Sequence, residues 1–150
     1  MEIELYTDEY FMKEALKEAT YALLSGEVPV GAIVVCKNRI IGRGYNLTET
    51  LKDVTAHAEM QAITAASAYL SSKYLKECTL YVTLEPCIMC AGAIYWAQFQ
   101  RLVFGARDSK RGYQLADNPL LHPKTDVNSG LLANDAGKLL SDFFEALRNR

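Results

Sequence analysis

Thr55-Ala56-His57-Ala58-Glu59, read together with Pro86-Cys87-Ile88-Met89-Cys90, decides how the rest of the chain is understood. His57, Cys87 and Cys90 offer one nitrogen and two sulfurs, the donor set of a four-coordinate zinc, and a catalytic zinc keeps its fourth position open. Glu59 is left beside that position. Thr55 suits a helix N-cap, and an apolar helical pattern follows it. From the first turn of that helix, His57 and Glu59 can both bend towards a point off its end. Pro86 suits the first position of a second helix, which sets Cys87 and Cys90, three apart, on one face. Two helix starts then aim at one ion, and their positive ends favour thiolate over thiol.

A Cys-x-x-Cys pair alone has three readings: a redox pair, half of a structural zinc site, or half of a catalytic one. The redox reading expects the pair to lead a helix after the first strand, whereas here it comes late and has a His-x-Glu partner. A structural site would close with Cys36, Cys78 or His122, and it has no use for an adjacent acid. Cys36 ends the run Ile33-Val34-Val35 and Cys78 precedes Thr79-Leu80-Tyr81-Val82, so both read as packed thiols in or beside strands.

Around these motifs, residues 8–24 carry an amphipathic helical pattern capped by Thr7 or Asp8 and stopped by Ser25-Gly26. Residues 30–36 and 39–45 form a hairpin through Lys37-Asn38. A polar loop opens at Asn46. Helices are expected over about 56–70, 86–98 and 132–148, and strands over 79–83, 101–104 and 125–128. The alternation of strand and helix predicts an α/β fold, a three-layer α/β/α sandwich with a mixed five-stranded sheet, formed by residues 1–150 as one domain. The helix containing Ala91-Gly92-Ala93-Ile94-Tyr95-Trp96-Ala97 is apolar nearly all round, which predicts a homodimer with this helix near the interface.

Half of the 150 residues are hydrophobic and 23% are charged, ordinary for a soluble globular protein. No apolar run approaches the roughly 20 residues that span a bilayer. The acidic start Met1-Glu2-Ile3-Glu4-Leu5 lacks the form of a signal peptide, so no membrane partner and a cytoplasmic location are expected. The net charge of −2 does not suggest a nucleic-acid binder, but its distribution is uneven. Residues 1–20 hold six acids and two bases, whereas residues 101–125 hold five bases (Arg101, Arg107, Lys110, Arg111, Lys124) and two acids. A local basic face on an acidic protein is thereby allowed, with Arg107 and Lys110 as candidate RNA contacts.

His-x-Glu followed by Pro-Cys-x-x-Cys is the signature of zinc-dependent nucleobase deaminases. More specifically, the sequence resembles the bacterial tRNA-specific adenosine deaminase family of the cytidine deaminase-like superfamily. The resemblance runs through Glu27-Val28-Pro29-Val30-Gly31-Ala32, Thr55 to Glu59, Leu80 to Cys90, Ala91-Gly92-Ala93, Val103-Phe104-Gly105-Ala106-Arg107-Asp108 and Leu139-Leu140-Ser141-Asp142-Phe143-Phe144. It implies one Zn2+ per subunit held by His57, Cys87 and Cys90, with Glu59 as the proton carrier. It also implies hydrolysis of adenosine to inosine at the wobble position of a tRNA anticodon loop. By matching positions, Asn46 would contact the target base or its ribose, Val28, Pro29, Ala58 and Leu84 would line the pocket, and Phe144 and Arg148 would touch flanking nucleotides. The wording Ile94-Tyr95-Trp96-Ala97 is closer to guanine deaminases of the same superfamily. It keeps open a second reading, a deaminase of a free base or nucleoside such as guanine or cytosine.

Overall fold

The computed structural model describes residues 6–150; the acidic start read above as unlike a signal peptide, residues 1–5, lies outside the described residues. In chain order the elements are α1 (Asp8–Leu24), β1 (Gly31–Cys36), β2 (Arg39–Tyr45), α2 (Thr48–Leu51), α3 (Ala58–Leu70), β3 (Cys78–Leu84), α4 (Ile88–Ala97), β4 (Arg101–Ala106), a 3-10 turn (Tyr113–Leu115), β5 (Asp126–Ser129) and α5 (Ala133–Arg148).

The five strands form one sheet in the order β2-β1-β3-β4-β5. β1 runs antiparallel to β2 and β3, while β3, β4 and β5 are parallel, so the sheet is mixed. Alternation along the central strands divides the core. Ala32, Val34, Leu80, Val82, Leu102 and Phe104 face one side, with Ala58, Ala62, Ala66 and Ile94 of α3 and α4. Ile33, Val35, Tyr81 and Val103 face the other, with Phe11, Met12 and Ala15 of α1. α5 packs on β4, β3 and α1 and so completes the second layer. This is the expected α/β/α sandwich.

Local chemistry sets the element ends. The Tyr10 N–H donates to Thr7 Oγ1 at 3.1 Å, and Asp8 and Glu9 occupy the positively polarised first turn of α1. Lys37 and Asn38 both take left-handed conformations, φ 52° and 62°, as a two-residue turn between right-twisted strands demands. Two expectations need correction. Thr55 does not cap α3: its hydroxyl and N–H both donate to Asp53 Oδ1, at 2.7 and 2.8 Å, and the cap position falls to His57. Pro86 does not open α4 either, because Cys87 holds an extended cap conformation and the helix begins at Ile88. The polar loop after Asn46 also contains the single turn α2.

α3 lies unusually close to the edge strand β2. A Cβ at Gly42 would collide with the Ala62 carbonyl, and one at Gly44 with the carbonyl of Ala58. The facing helix residues are themselves small, Ala58, Ala62 and Ala66. Cys36 and Cys78 lie opposite each other across β1 and β3 as free thiols, Cys78 buried and Cys36 half-buried. Burial pushes the Cys78 thiol up to about 12.

Candidate active site

α3 and α4 begin at the same end of the molecule, and their starts carry the chemistry. His57 caps α3, Cys87 caps α4, and Cys90 lies in the first turn of α4. The His57 Nδ1 atom is 3.6 Å from Cys87 Sγ and 3.5 Å from Cys90 Sγ, and the three ligand atoms all lie within 4.8 Å of one another. A tetrahedral zinc with bonds of about 2.3 Å to sulfur and about 2.0–2.1 Å to nitrogen would separate nitrogen from sulfur by roughly 3.5 Å. The three side chains therefore already have the spacing such an ion requires.

The ligands also share protons. The Cys87 thiol is pulled down to about 4, first by its hydrogen bond with Cys90 and then by His57. Cys90 is driven the other way by Cys87 and by burial. His57 is raised, chiefly by its hydrogen bond with Cys87. Glu59 occupies the first turn of α3, only 4% exposed, and burial pushes its carboxyl up to about 6. A carboxyl poised near neutrality can accept a proton and return it.

These groups open onto a cavity of about 750 Å³, within the usual range for small-ligand sites. Val28, Asn46, Ala58 and Leu84 line it beside His57, Glu59 and Cys87. Pro29 is buried and is not among the lining residues; Val30 is. Arg107, Lys110, Phe144 and Arg148 all reach the same cavity, although they come from a loop and a helix distant in sequence from the metal ligands. Asp108, Arg111, Leu140 and Ser141 join them without having been singled out as site residues. Asn46 is held in place, its Oδ1 accepting the Thr48 N–H at 3.3 Å.

Sequence reasoning missed two buried carboxylates, Glu27 and Glu85, 1% and 3% exposed. Glu27 accepts from the N–H groups of Glu49 and Thr50, which fixes the loop after Asn46. Glu85 accepts from the N–H groups of Asp108 and Gln114. The available signal was an acid set within an otherwise apolar stretch, as in Leu80-Tyr81-Val82-Thr83-Leu84-Glu85-Pro86, because a buried charge must find partners.

A three-layer sandwich that brings one imidazole, two thiols and a buried carboxylate to paired helix starts defines a zinc-dependent hydrolytic deaminase. The profile of the cytidine and deoxycytidylate deaminase zinc-binding region matches residues 5–106, and the chain belongs to this family. Within it, the chain is similar to the tRNA-specific adenosine deaminase of Aquifex aeolicus, with 47% identity over 94% of this chain and 96% of that protein. It is similar also to the tRNA-specific adenosine deaminase of Bacillus subtilis, with 45% identity over 95% of this chain and 92% of that one. A solved structure from a study of A-to-I editing by tRNA:A34 deaminases superposes with a TM-score of 0.82 at 43% identity, covering 87% of this chain and 99% of that chain. One zinc ion per chain fits both the family and the His57, Cys87 and Cys90 group.

Proposed function

We propose that the protein hydrolyses the exocyclic amine of adenosine at the wobble position of a tRNA anticodon loop, giving inosine and ammonia. The observation that carries this reading is the composition of one cavity. Two of the metal ligands, His57 and Cys87, line it together with Glu59, and Arg107, Lys110, Arg111, Phe144 and Arg148 belong to the same lining. A free base would need only the base of such a site. A cationic, aromatic rim suits the phosphates and unstacked bases of an RNA loop.

His57, Cys87 and Cys90 would hold the zinc, which would supply the Lewis acidity that lets water lose a proton near neutral pH. Glu59 accepts that proton and passes it to the ring nitrogen next to the carbon under attack. As the water oxygen bonds to that carbon, Glu59 carries the oxygen's remaining proton to the amine, the C–N bond breaks, and the amine leaves as ammonia. Val28, Ala58 and Leu84 form apolar walls for the flipped base, and the Asn46 amide hydrogen-bonds to the base or its ribose.

The protein acts as a single catalytic domain and pairs with a second copy of itself. Ile88 and Trp96 on the outer face of α4 are 65% and 73% exposed, a large apolar surface for a helix that is apolar nearly all round. No described helix is long and apolar enough to cross a membrane. A tRNA substrate favours a cytoplasmic location. The guanine-deaminase wording noted above falls on this same helix. Tyr95 and Trp96 are exposed and neither lines the cavity, so this wording marks the outer face of α4 rather than the cavity wall.

The test is ammonia release from a tRNA with A at the wobble position, run beside free guanine, cytosine and adenosine. Turnover on the RNA alone, weakening steeply as salt rises, is the expected result. Turnover on a free base alone would reverse the assignment.

A further inference from the structure

Resting on the proposed RNA substrate, we propose that Glu85 is a positioning residue: it holds the loop of residues 107–114 so that Arg107, Lys110 and Arg111 are presented to RNA before the RNA arrives. Glu85 stands two residues before the ligand Cys87 and is 3% exposed. Its Oε1 accepts the Asp108 N–H at 3.1 Å and its Oε2 accepts the Gln114 N–H at 3.0 Å, so one carboxylate grips both ends of the loop. The Arg107 Nε lies 3.9 Å from Oε1, on a side chain that remains 70% exposed.

The surrounding backbone reinforces the grip. The Glu85 N–H donates to the Ala106 carbonyl at 2.8 Å, and the Tyr113 N–H to the Pro86 carbonyl at 2.9 Å. Between the clamped ends, Asp108 Oδ1 accepts the N–H groups of both Lys110 and Arg111 at 3.0 Å, which folds the cationic stretch into a tight turn. Gly112 packs directly on the clamp, and a Cβ there would overlap Glu85 Oε2. The same segment that delivers a metal ligand thus orders the basic rim. A rim ordered in advance loses less conformational freedom when RNA binds. The benefit belongs to binding rather than to the proton transfers at Glu59.

The test uses the zinc-loaded enzyme and an anticodon stem-loop with A at the wobble position. Glu85→Gln keeps the shape but turns an amide N–H towards a backbone N–H. It should raise KM about tenfold, the cost of losing one charged hydrogen bond, and leave kcat near that of the parent. Zinc content should not change. RNA binding in a Glu59→Gln background, followed by fluorescence anisotropy, should show a salt dependence shallower by about one to two phosphate contacts. Gly112→Ala displaces the loop while leaving the carboxylate intact, and it should reproduce both effects even if Glu85→Gln folds poorly. Unchanged KM in both variants, a fall confined to kcat, or weaker binding at an unchanged salt slope would overturn the proposal. So would zinc loss in Glu85→Gln with Gly112→Ala behaving like the parent. A parent enzyme that turns over only a free base would instead defeat the RNA assignment on which the proposal rests.

Discussion

Thr50 is bound twice by Glu27: its backbone N–H and its hydroxyl both donate to the same carboxylate oxygen, each at 2.6 Å, and the neighbouring Glu49 N–H reaches the other oxygen at 3.1 Å. Burial opposes ionisation of Glu27, but the hydrogen bonds from Thr50 and Glu49 outweigh it and hold the carboxyl below its ordinary 4.5. Glu27→Ala leaves those buried donors without an acceptor and should cost about 2–3 kcal/mol in urea unfolding. Because the folded value is depressed, this stabilisation is complete above pH 4.5 and fades as the pH falls through the lower folded value. The acid-side slope of stability should be shallower in Glu27→Gln, as measured by thermal melts across that range.

Glu59→Gln should retain zinc, by metal analysis, and lose about 10²–10⁴-fold in kcat. In the parent, kcat/KM should fall on the acid side as Glu59 is protonated. The midpoint should lie at or below about 6, because a bound dication favours the carboxylate. The raised value also has a consequence for stability. In metal-free protein the Glu59 contribution is most favourable at low pH and is lost as pH rises through about 6. At neutral pH, metal-free Glu59→Gln should therefore melt higher than metal-free parent, the reverse of its effect on activity.

Zinc uptake should release protons. Cys90 is held as a thiol by Cys87 and by burial, and a ligand sulfur must be ionised. Titrating zinc into weakly buffered protein near pH 7 should release roughly one to two protons per ion, read by an indicator dye, with affinity rising with pH. Cys90→Ser should weaken zinc binding and reduce the release. Chelation of the parent should abolish turnover, and added zinc should restore it.

Trp96→Glu should weaken self-association by at least about tenfold in light scattering across micromolar concentrations, since a buried aromatic anchor is the commonest hot spot. A parent that is monomeric throughout would remove the pairing.

Much of this site is legible from the chain because its chemistry is carried by distinctive residues at fixed spacing. His57, Glu59, Cys87 and Cys90 could be named before any fold was known. The sheet was readable too, since residues 30–36 and 79–83 are short β-rich runs set between helical patterns. What escaped was the choice of hydrogen-bond partner, both near in sequence and far. Thr55 has every local mark of a cap, yet Asp53, two residues back, claims its hydroxyl. Glu27 and Glu85 look like ordinary acids until their N–H donors, 22 to 29 residues further on, are brought beside them. The family resemblance assigns Pro29 to the cavity wall, but Pro29 is buried and Val28 and Val30 line the cavity on either side of it.

The seating of α3 on Gly42 and Gly44 means that reactivity is tuned from a strand that contributes nothing to the cavity wall. Adding one methyl group at either glycine would wedge the helix outward and carry His57 and Glu59 away from the sulfurs on α4. A mutational scan restricted to groups facing the substrate would never sample that lever, and random drift along β2 would find it as sudden loss of catalysis with every reacting side chain still in the sequence.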